Sequence, residues 1–527
     1  MSLTALRRAG ERAVILAAVC TAAIASPALA DPNNNNSEKL RKAVTVDGVR
    51  SHLSSLQAVA DANGGNRFAG LPGYDASATY VYDTLTKAGY SPQYWEFSYD
   101  ATFERTPTQL ARVSPSPKTY VNAVDFRLMS GAGNSDVTGS LRRPSGDVRG
   151  CFAADWAGVA PDIAIVQRGT PAGYPDNGGV CSFRIKAELA RAAGAKAVIV
   201  YNNVAGVING TAGDPPLNYG VVGTTPELGT ELLALLAAGP VTMRFKSDTT
   251  RQTLTTRNVI AETADGDPNN VVQVGAHLDS VSQGPGINDN GSGSASILET
   301  AVQMAKVKPR NKVRFSWWAA EESGLIGATR WVNAQPESEL DKIALYLNFD
   351  MVASPNYGLF VYDGDNSAFP VGPGAAAGPP GSDVIESMFY GFFEKYTSDA
   401  AEPTAFSGRS DYGPFIAKGI PAGGLFTGAE QPKTPAQAVK WGGTAGIAYD
   451  PCYHAGCDTL ANINDHALDV NSDAIAHLTI SLAQNTEVVN GIRGKGNFKR
   501  PYQGAGDGSG TGAGGGLHDH DHPDEGA

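Results

Sequence analysis

The strongest constraint on this chain is the alternation of short apolar runs with helical patterns across its second half. Residues 258–262, 271–275, 313–318, 343–349, 359–362 and 422–426 read as strands, and 294–305, 383–395 and 473–484 repeat apolar residues at helical spacing. A sheet whose strands are apolar on both faces needs helices on both sides. The pattern therefore predicts an α/β fold, a mixed, largely parallel β-sheet sandwiched by helices. Ahead of it, 49–60 and 74–88 have helical periodicity, with Gly89 as a stop, and 94–99 alternates like a strand. Gly266 to Asn269 reads as a turn.

The chain has 527 residues, enough for several domains and a substantial core. Residues 116–244 interrupt the pattern with segments of their own: Asp162 to Val166, an amphipathic helix from Ile185 to Ala193, and Ala197 to Tyr201. They read as an inserted, small β-rich α+β domain between the two parts of one body, 41–115 and 245–492. Against 53 acidic residues stand 41 basic ones, a net charge of −12, and no basic tract runs for five residues. Nucleic acid and anionic membrane surfaces are thereby excluded as main partners.

Residues 1–30 open with Arg7, Arg8 and Arg12, continue with an apolar or small run from Ala13 to Ala25, and close on Ala28-Leu29-Ala30. This is the pattern of a secretory signal cut after Ala30. As a helix the run rises only about 20 Å, too short to cross a bilayer. A secreted, extracellular product without membrane attachment is expected. Residues 31–40, asparagine-rich and without periodicity, read as a disordered leader or short pro-segment. Residues 493–527, Gly-rich and closing on alternating His and Asp, read as a flexible tail. There metal scavenging is the sharper interpretation and simple solvation the plainer one.

Loss of the signal removes Cys20 and leaves four cysteines, which in an oxidising exterior allow two disulfides. Proximity pairs Cys452 with Cys457 and Cys151 with Cys181, one of three pairings that four cysteines permit. The spacings lack the paired C-x2-4-C pattern of a cysteine zinc site.

The body contains no G-x-S-x-G elbow, P-loop or H-E-x-x-H. What it has is acids and histidines at strand ends. His277 follows the run 271–275, where open α/β sheets bind ligands, and Asp279 two residues on is placed to hydrogen-bond the imidazole and fix its tautomer. Asp289 lies in a glycine-rich loop ahead of the helix at 294. Glu321 and Glu322 follow a buried strand as adjacent carboxylates, whose mutual repulsion calls for a nearby cation or a raised pKa. Asp350 ends another apolar strand, and the pair Cys452–Cys457 would hold Tyr453 and His454 in a six-residue loop. Singly, an acid at a strand end is usually a turn or cap. Together, two histidines and three acids from successive carboxyl ends can converge on one crevice with N and O donors suited to zinc.

The ordered set resembles the M28 di-zinc aminopeptidases, especially the secreted leucine-type enzymes of streptomycetes. The shared stretches are Gly275 to Thr300, Trp317 to Gly327, Tyr346 to Met351, Arg409 to Phe415, Gly423 to Gly428, Trp441 to Gly446 and Tyr453 to Asn464. The resemblance implies two Zn²⁺, one held by His277, Asp289 and Asp350, the other by Asp289, Glu322 and His454. It implies Glu321 as general base, Tyr453 as donor to the tetrahedral oxyanion, and Glu321 and Asp350 facing the substrate ammonium, oriented by Arg409. Met351 and Phe426 look like walls of an apolar pocket for a leucine-like first side chain, with ordinary core as the competing interpretation. A structural Ca²⁺ at Asp469 and Asp473 is a further candidate, although the N-terminal acid expected with them is replaced by Ala43, so a plain helix surface explains these acids equally well. The insertion resembles a protease-associated (PA) domain through Pro161 to Gly169 and Cys181 to Tyr201. The resulting expectation is a monomeric bacterial metallo-aminopeptidase acting on peptide or protein N-termini. The alternatives are a non-catalytic binding protein of the same fold, or a carboxypeptidase.

Overall fold

The computed structural model describes residues 31–491, apart from 172–173, 175–180, 204–205 and 373–374. The signal at 1–30 and the tail at 493–527 lie outside the described residues. Among the described residues no helix is long and apolar enough to cross a membrane.

Four strands form the centre: Ala422–Phe426, Ile343–Phe349, Asp267–His277 and Asn311–Trp318, adjacent in that order and mutually parallel. Ile343–Phe349 is buried at every position, as a strand covered on both faces must be. Successive side chains of a strand point to opposite faces. Trp317 accordingly enters the core beneath the helices Val46–Ala62, Pro72–Ala88 and Gly293–Met304, and Trp318 packs with Trp331 and Phe415 on the other side. Because the central strands are parallel, their carboxyl ends share one edge. Phe360–Tyr362, antiparallel to Ala422–Phe426, and Glu402–Thr404 complete that side.

A long two-stranded ribbon joins this sheet to the insertion. Gln93–Ser114 pairs antiparallel with Thr242–Glu262 from Gln93 opposite Ile260 to Ser114 opposite Thr242. The other edge of Thr242–Glu262 takes Ser135–Arg142 near its start and Asn311–Trp318 near its end. From Ser135–Arg142 the inserted sheet continues in parallel through Ile163–Gln167, Ala197–Tyr201 and Gly220–Thr224, and closes with antiparallel Phe126–Leu128. Both disulfides, Cys151–Cys181 and Cys452–Cys457, are formed.

Three local expectations differ from the structure. Residues 31–40 are not disordered where described: Asn36 caps the helix Ser37–Ala43, Leu40 is buried, and the amide of Asn34 donates to the carbonyl of Gln303 at 3.1 Å. Asparagines satisfied by specific acceptors do not behave as solvated coil. The last helix begins at Asp465, eight residues before the expected start, because Asn471 and Ser472, which break the apolar pattern there, are buried by pairing. Asn471 donates to the Val352 carbonyl at 2.9 Å, and the Ser472 and Ser296 hydroxyls are 3.1 Å apart. The expected turn at 266–269 is confined to Gly266 (φ 105°), since Asp267 already starts a strand.

Candidate metal centre

The carboxyl edge gathers the predicted residues. His277 is the last residue of its strand, Asp350 follows Phe349 directly, and Glu321 and Glu322 lie just past Trp318. Nε2 of His277 is 3.3 Å from Oδ1 of Asp289 and 3.3 Å from Oδ1 of Asp350. Nε2 of His454 is 3.2 Å from Oδ2 of Asp289 and 2.9 Å from Oε2 of Glu322. Glu321 stands back, its Oε2 3.9 Å from Nε2 of His277. Donor atoms of His277, Asp289 and Asp350, of Asp289, Glu322 and His454, and of His277, Glu321 and Glu322 lie within 4.8 Å of one another in each group. The remaining body histidines sit elsewhere: His52 is enclosed by Tyr80 and Glu299, His466 meets Asp399, and His477 meets Ser37.

The backbone is strained to achieve this. Ala320, just before Glu321, Met351, just after Asp350, and His454 itself have left-handed φ of 57°, 50° and 53°. Non-glycine residues adopt this region at a cost of about 1–3 kcal/mol each, typically where a functional geometry demands it. In the Asp289 loop glycine is obligatory at Gly286 (φ 61°), where a Cβ would come within 2.3 Å of the Asp289 carbonyl oxygen.

Several groups fix the ligands from behind. Nδ1 of His277 donates to the backbone carbonyl of Asp279 at 3.2 Å, which directs Nε2 toward the acids. The carboxylate expected to do this is 3.7 Å from Nδ1 and accepts instead from the amides of Glu321 (3.2 Å) and Glu322 (3.4 Å). Ser410 Oγ donates to Oδ2 of Asp350 at 2.6 Å. Arg409, expected to orient the acids, pairs with Glu430 at 2.9 Å and donates to the Tyr453 hydroxyl at 3.1 Å. Tyr453 stacks on the His454 ring, with centroids 3.8 Å apart. Met351 and Phe426 line the same cleft as His277, Asp289, Glu321 and Asp350.

The sequence reading gave no role to two positioning groups, Asp458 and Arg67, or to the buried acid Asp411. Asp458 accepts from the amides of Asn288 (2.8 Å) and Asp289 (3.0 Å), tying the disulfide loop region to the Asp289 segment. Arg67, wholly buried, donates to three backbone carbonyls, those of Leu278, Pro285 (2.8 Å) and Gly286 (2.5 Å), clamping the His277 and Asp289 loops together. Asp411 is buried with neither oxygen hydrogen-bonded. The Gly64–Gly70 loop that carries Arg67 offers no motif, and its partners are main-chain atoms that leave no trace in composition.

Charge follows from this crowding. Burial alone would depress His454, but Glu322 and Asp289 outweigh it and lift its pKa to about 10. Burial and the neighbouring Asp289 push Glu322 up to about 7 against the pull of His454. Burial, then Glu322, Asp350 and Asp411, drive Glu321 well above the carboxylate range despite His277. Asp289, between two imidazoles, is held below its usual value although buried. Oδ1 of Asp350 and Oε1 of Glu322 are buried without a hydrogen bond. Buried carboxylate oxygens without a hydrogen bond are costly, and N and O donors in overlapping groups fit zinc. Asp469 and Asp473 are not among the converging donor groups of the described residues, and Asp473 has the Arg41 guanidinium as its counter-charge at 3.1 Å.

Acids and imidazoles collected at the carboxyl edge of a parallel sheet define a metal-dependent hydrolase. Residues 258–479 match the model of peptidase family M28, and residues 137–232 that of the PA domain. An aminopeptidase of Pseudomonas aeruginosa is 44% identical over 465 residues, covering 86% of this chain and 83% of that protein. A probable leucine aminopeptidase 2 of Trichophyton verrucosum is 38% identical over 458 residues, 85% of this chain and 86% of that one. In structure, the aminopeptidase from Aneurinibacillus sp. strain AM-1 superposes with a TM-score of 0.64 at 27% identity, over 84% of this chain and 94% of that one. The chain belongs to peptidase family M28, with a PA domain inserted, and is a metallo-aminopeptidase whose family membership implies zinc.

Proposed function

We propose that the protein is a secreted di-zinc aminopeptidase that removes large apolar N-terminal residues such as leucine from peptides. The observation that carries the two-metal reading is Asp289, whose oxygens face separate imidazole and carboxylate pairs. His277, Asp289 and Asp350 would hold one ion, and Asp289, Glu322 and His454 the other. Zinc held there would supply Lewis-acid chemistry, polarisation of the scissile carbonyl and a lowered pKa for water.

The chain's own groups do the rest. Glu321 lines the cleft and stands 3.9 Å from His277, farther than Asp289 and Asp350, and it takes the proton from the attacking water and delivers it to the leaving amine. The Tyr453 hydroxyl accepts from Arg409 and so keeps its own proton to donate to the developing oxyanion. Asp350, steadied by Ser410, and Glu321 face the free ammonium of the substrate. Met351 and Phe426 offer an apolar wall to the first side chain, in keeping with the leucine aminopeptidase relative. Secretion is supported by the signal pattern at 1–30 and by two disulfides.

The test pairs zinc analysis with leucyl peptides carrying free or acetylated N-termini. Two zinc ions per chain and cleavage of the free peptide alone are expected. Equal rates on both peptides would overturn the aminopeptidase specificity, and one ion at full activity would overturn the di-zinc reading.

A further inference from the structure

The adjacent acids Glu321 and Glu322 open onto different spaces. Glu321 lines the cleft with Met351 and Phe426, whereas Glu322 and Ser323 line a second cavity of about 320 Å³. The candidate metal centre thus stands between two cavities. The second is large enough for a small ligand, a class of site that spans roughly 300–1,000 Å³. It is walled partly by the catalytic body and partly by the inserted domain, which contributes Leu128, Ser130 and Asp214. That domain is fixed in place here: Asp214 pairs with Arg330 of the catalytic body at 2.7 Å, and Nη1 of Arg127 donates to the His454 carbonyl at 3.3 Å. Glu322 is thus common to the metal centre and to the wall of this cavity.

An exopeptidase needs room on both sides of the scissile bond, one space for the first side chain and another for the remainder of the peptide. The chemistry of the second cavity is one-signed. Asp100, Glu104, Asp214 and Glu322 line it, and among the described residues no lysine or arginine does. Asp214 has Arg330 and Glu322 faces His454. Asp100 and Glu104 have only uncharged donors: the Thr253 hydroxyl on Asp100 at 2.7 Å, and the Thr108 amide (3.1 Å) and hydroxyl on Glu104. We propose that this cavity between the inserted domain and the Glu322–Ser323 turn receives the peptide residue on the leaving side of the scissile bond, and that its acidic lining favours a cationic side chain there. The inference rests on the aminopeptidase reading and assigns the inserted domain a part in substrate selection.

The experiment compares kcat/KM of the zinc-loaded full chain on Leu-Lys-Ala, Leu-Ala-Ala, Leu-Glu-Ala and leucinamide, which has no second residue. Lys over Glu by roughly tenfold at low ionic strength is expected, shrinking as salt screens the lining. The double variant Asp100→Asn/Glu104→Gln should bring that ratio close to one. Ser130→Trp, which fills the cavity from the inserted domain, should lower the ratio of Leu-Ala-Ala to leucinamide turnover by about tenfold. A Lys/Glu ratio near one in the unmodified chain, a ratio indifferent to the double variant, or equal effects of Ser130→Trp on both substrates would overturn the proposal. Failure to cleave leucinamide at all would instead sink the aminopeptidase reading on which it stands.

Discussion

The two oxygens of Asp289 serve different histidines: Oδ1 lies 3.3 Å from Nε2 of His277, and Oδ2 lies 3.2 Å from Nε2 of His454. One carboxylate therefore belongs to both donor groups, and its replacement cannot be confined to one of them. Asp289→Asn is expected to reduce zinc content in both positions and to lower kcat/KM by more than about 100-fold, beyond the effect usual for groups behind a ligand. Metal analysis after dialysis, together with leucinamide hydrolysis, checks this. Loss of only one ion with the other fully retained would show that the carboxylate does not bridge.

Glu321→Gln separates chemistry from metal binding, because it keeps the side chain's size while removing the base. Zinc content is expected to stay at the unmodified level while turnover falls by about 10²- to 10⁴-fold, the contribution usual for a positioned proton-transfer group. Turnover near that of the unmodified chain would remove Glu321 from the proposed role.

Arg67 reaches no ligand, yet it holds the carbonyls of Leu278, Pro285 and Gly286 that frame His277 and Asp289. Arg67→Met leaves those acceptors unpaired in a buried site, at a cost of at least about 2 kcal/mol in stability. Zinc affinity, read by competition with a chelator, is expected to fall roughly 10- to 100-fold, as for other groups that orient ligands from behind. Arg67→Lys, which restores the charge but not the fork, should recover only part of it. Unchanged zinc affinity at reduced stability would make Arg67 a purely structural residue.

His477 gives a pH dependence remote from the centre. Burial, then Arg41 and Lys395, depress its pKa from 6.5 to about 4, so it is neutral in the folded chain where the unfolded chain takes up a proton. Its contribution to stability is complete above about pH 6.5 and is lost as the pH falls from there toward 4. In urea unfolding, the stability difference between the unmodified chain and His477→Gln should narrow or reverse in that interval and stay constant above it. A difference that is the same at pH 4.5 and 7.5 would refute the assignment.

Much of this molecule was legible before any coordinates. Ile343–Phe349 and Ala422–Phe426 fall where their apolar runs place them, because a strand buried on both faces has no choice but to be apolar. The helix Asp465–Gln484 was half hidden, since Asn471 and Ser472 are buried by hydrogen bonds that hydropathy does not register. At the centre, residue types at strand ends put forward His277, Asp289, Glu321, Glu322, Asp350 and His454 as candidates, the family resemblance divided them into ligands and base, and the fold brings their side chains together. The roles of Asp279 and Arg409 were less readable: the Asp279 carboxylate receives the amides of Glu321 and Glu322, and Arg409 pairs with Glu430.

What the sequence determined by itself is the set of strands and the donors at their ends, because periodicity and residue type are local properties. What only the tertiary structure decided is everything that depends on backbone carbonyls and on segments far apart in the chain. The Arg67 clamp, the grip of Asp458 on the Asp289 segment, and the cavity shared by Glu322 with Leu128 and Asp214 of the inserted domain are of this kind. Main-chain acceptors are the same at every residue, so no pattern of side chains can announce which of them a buried arginine will find.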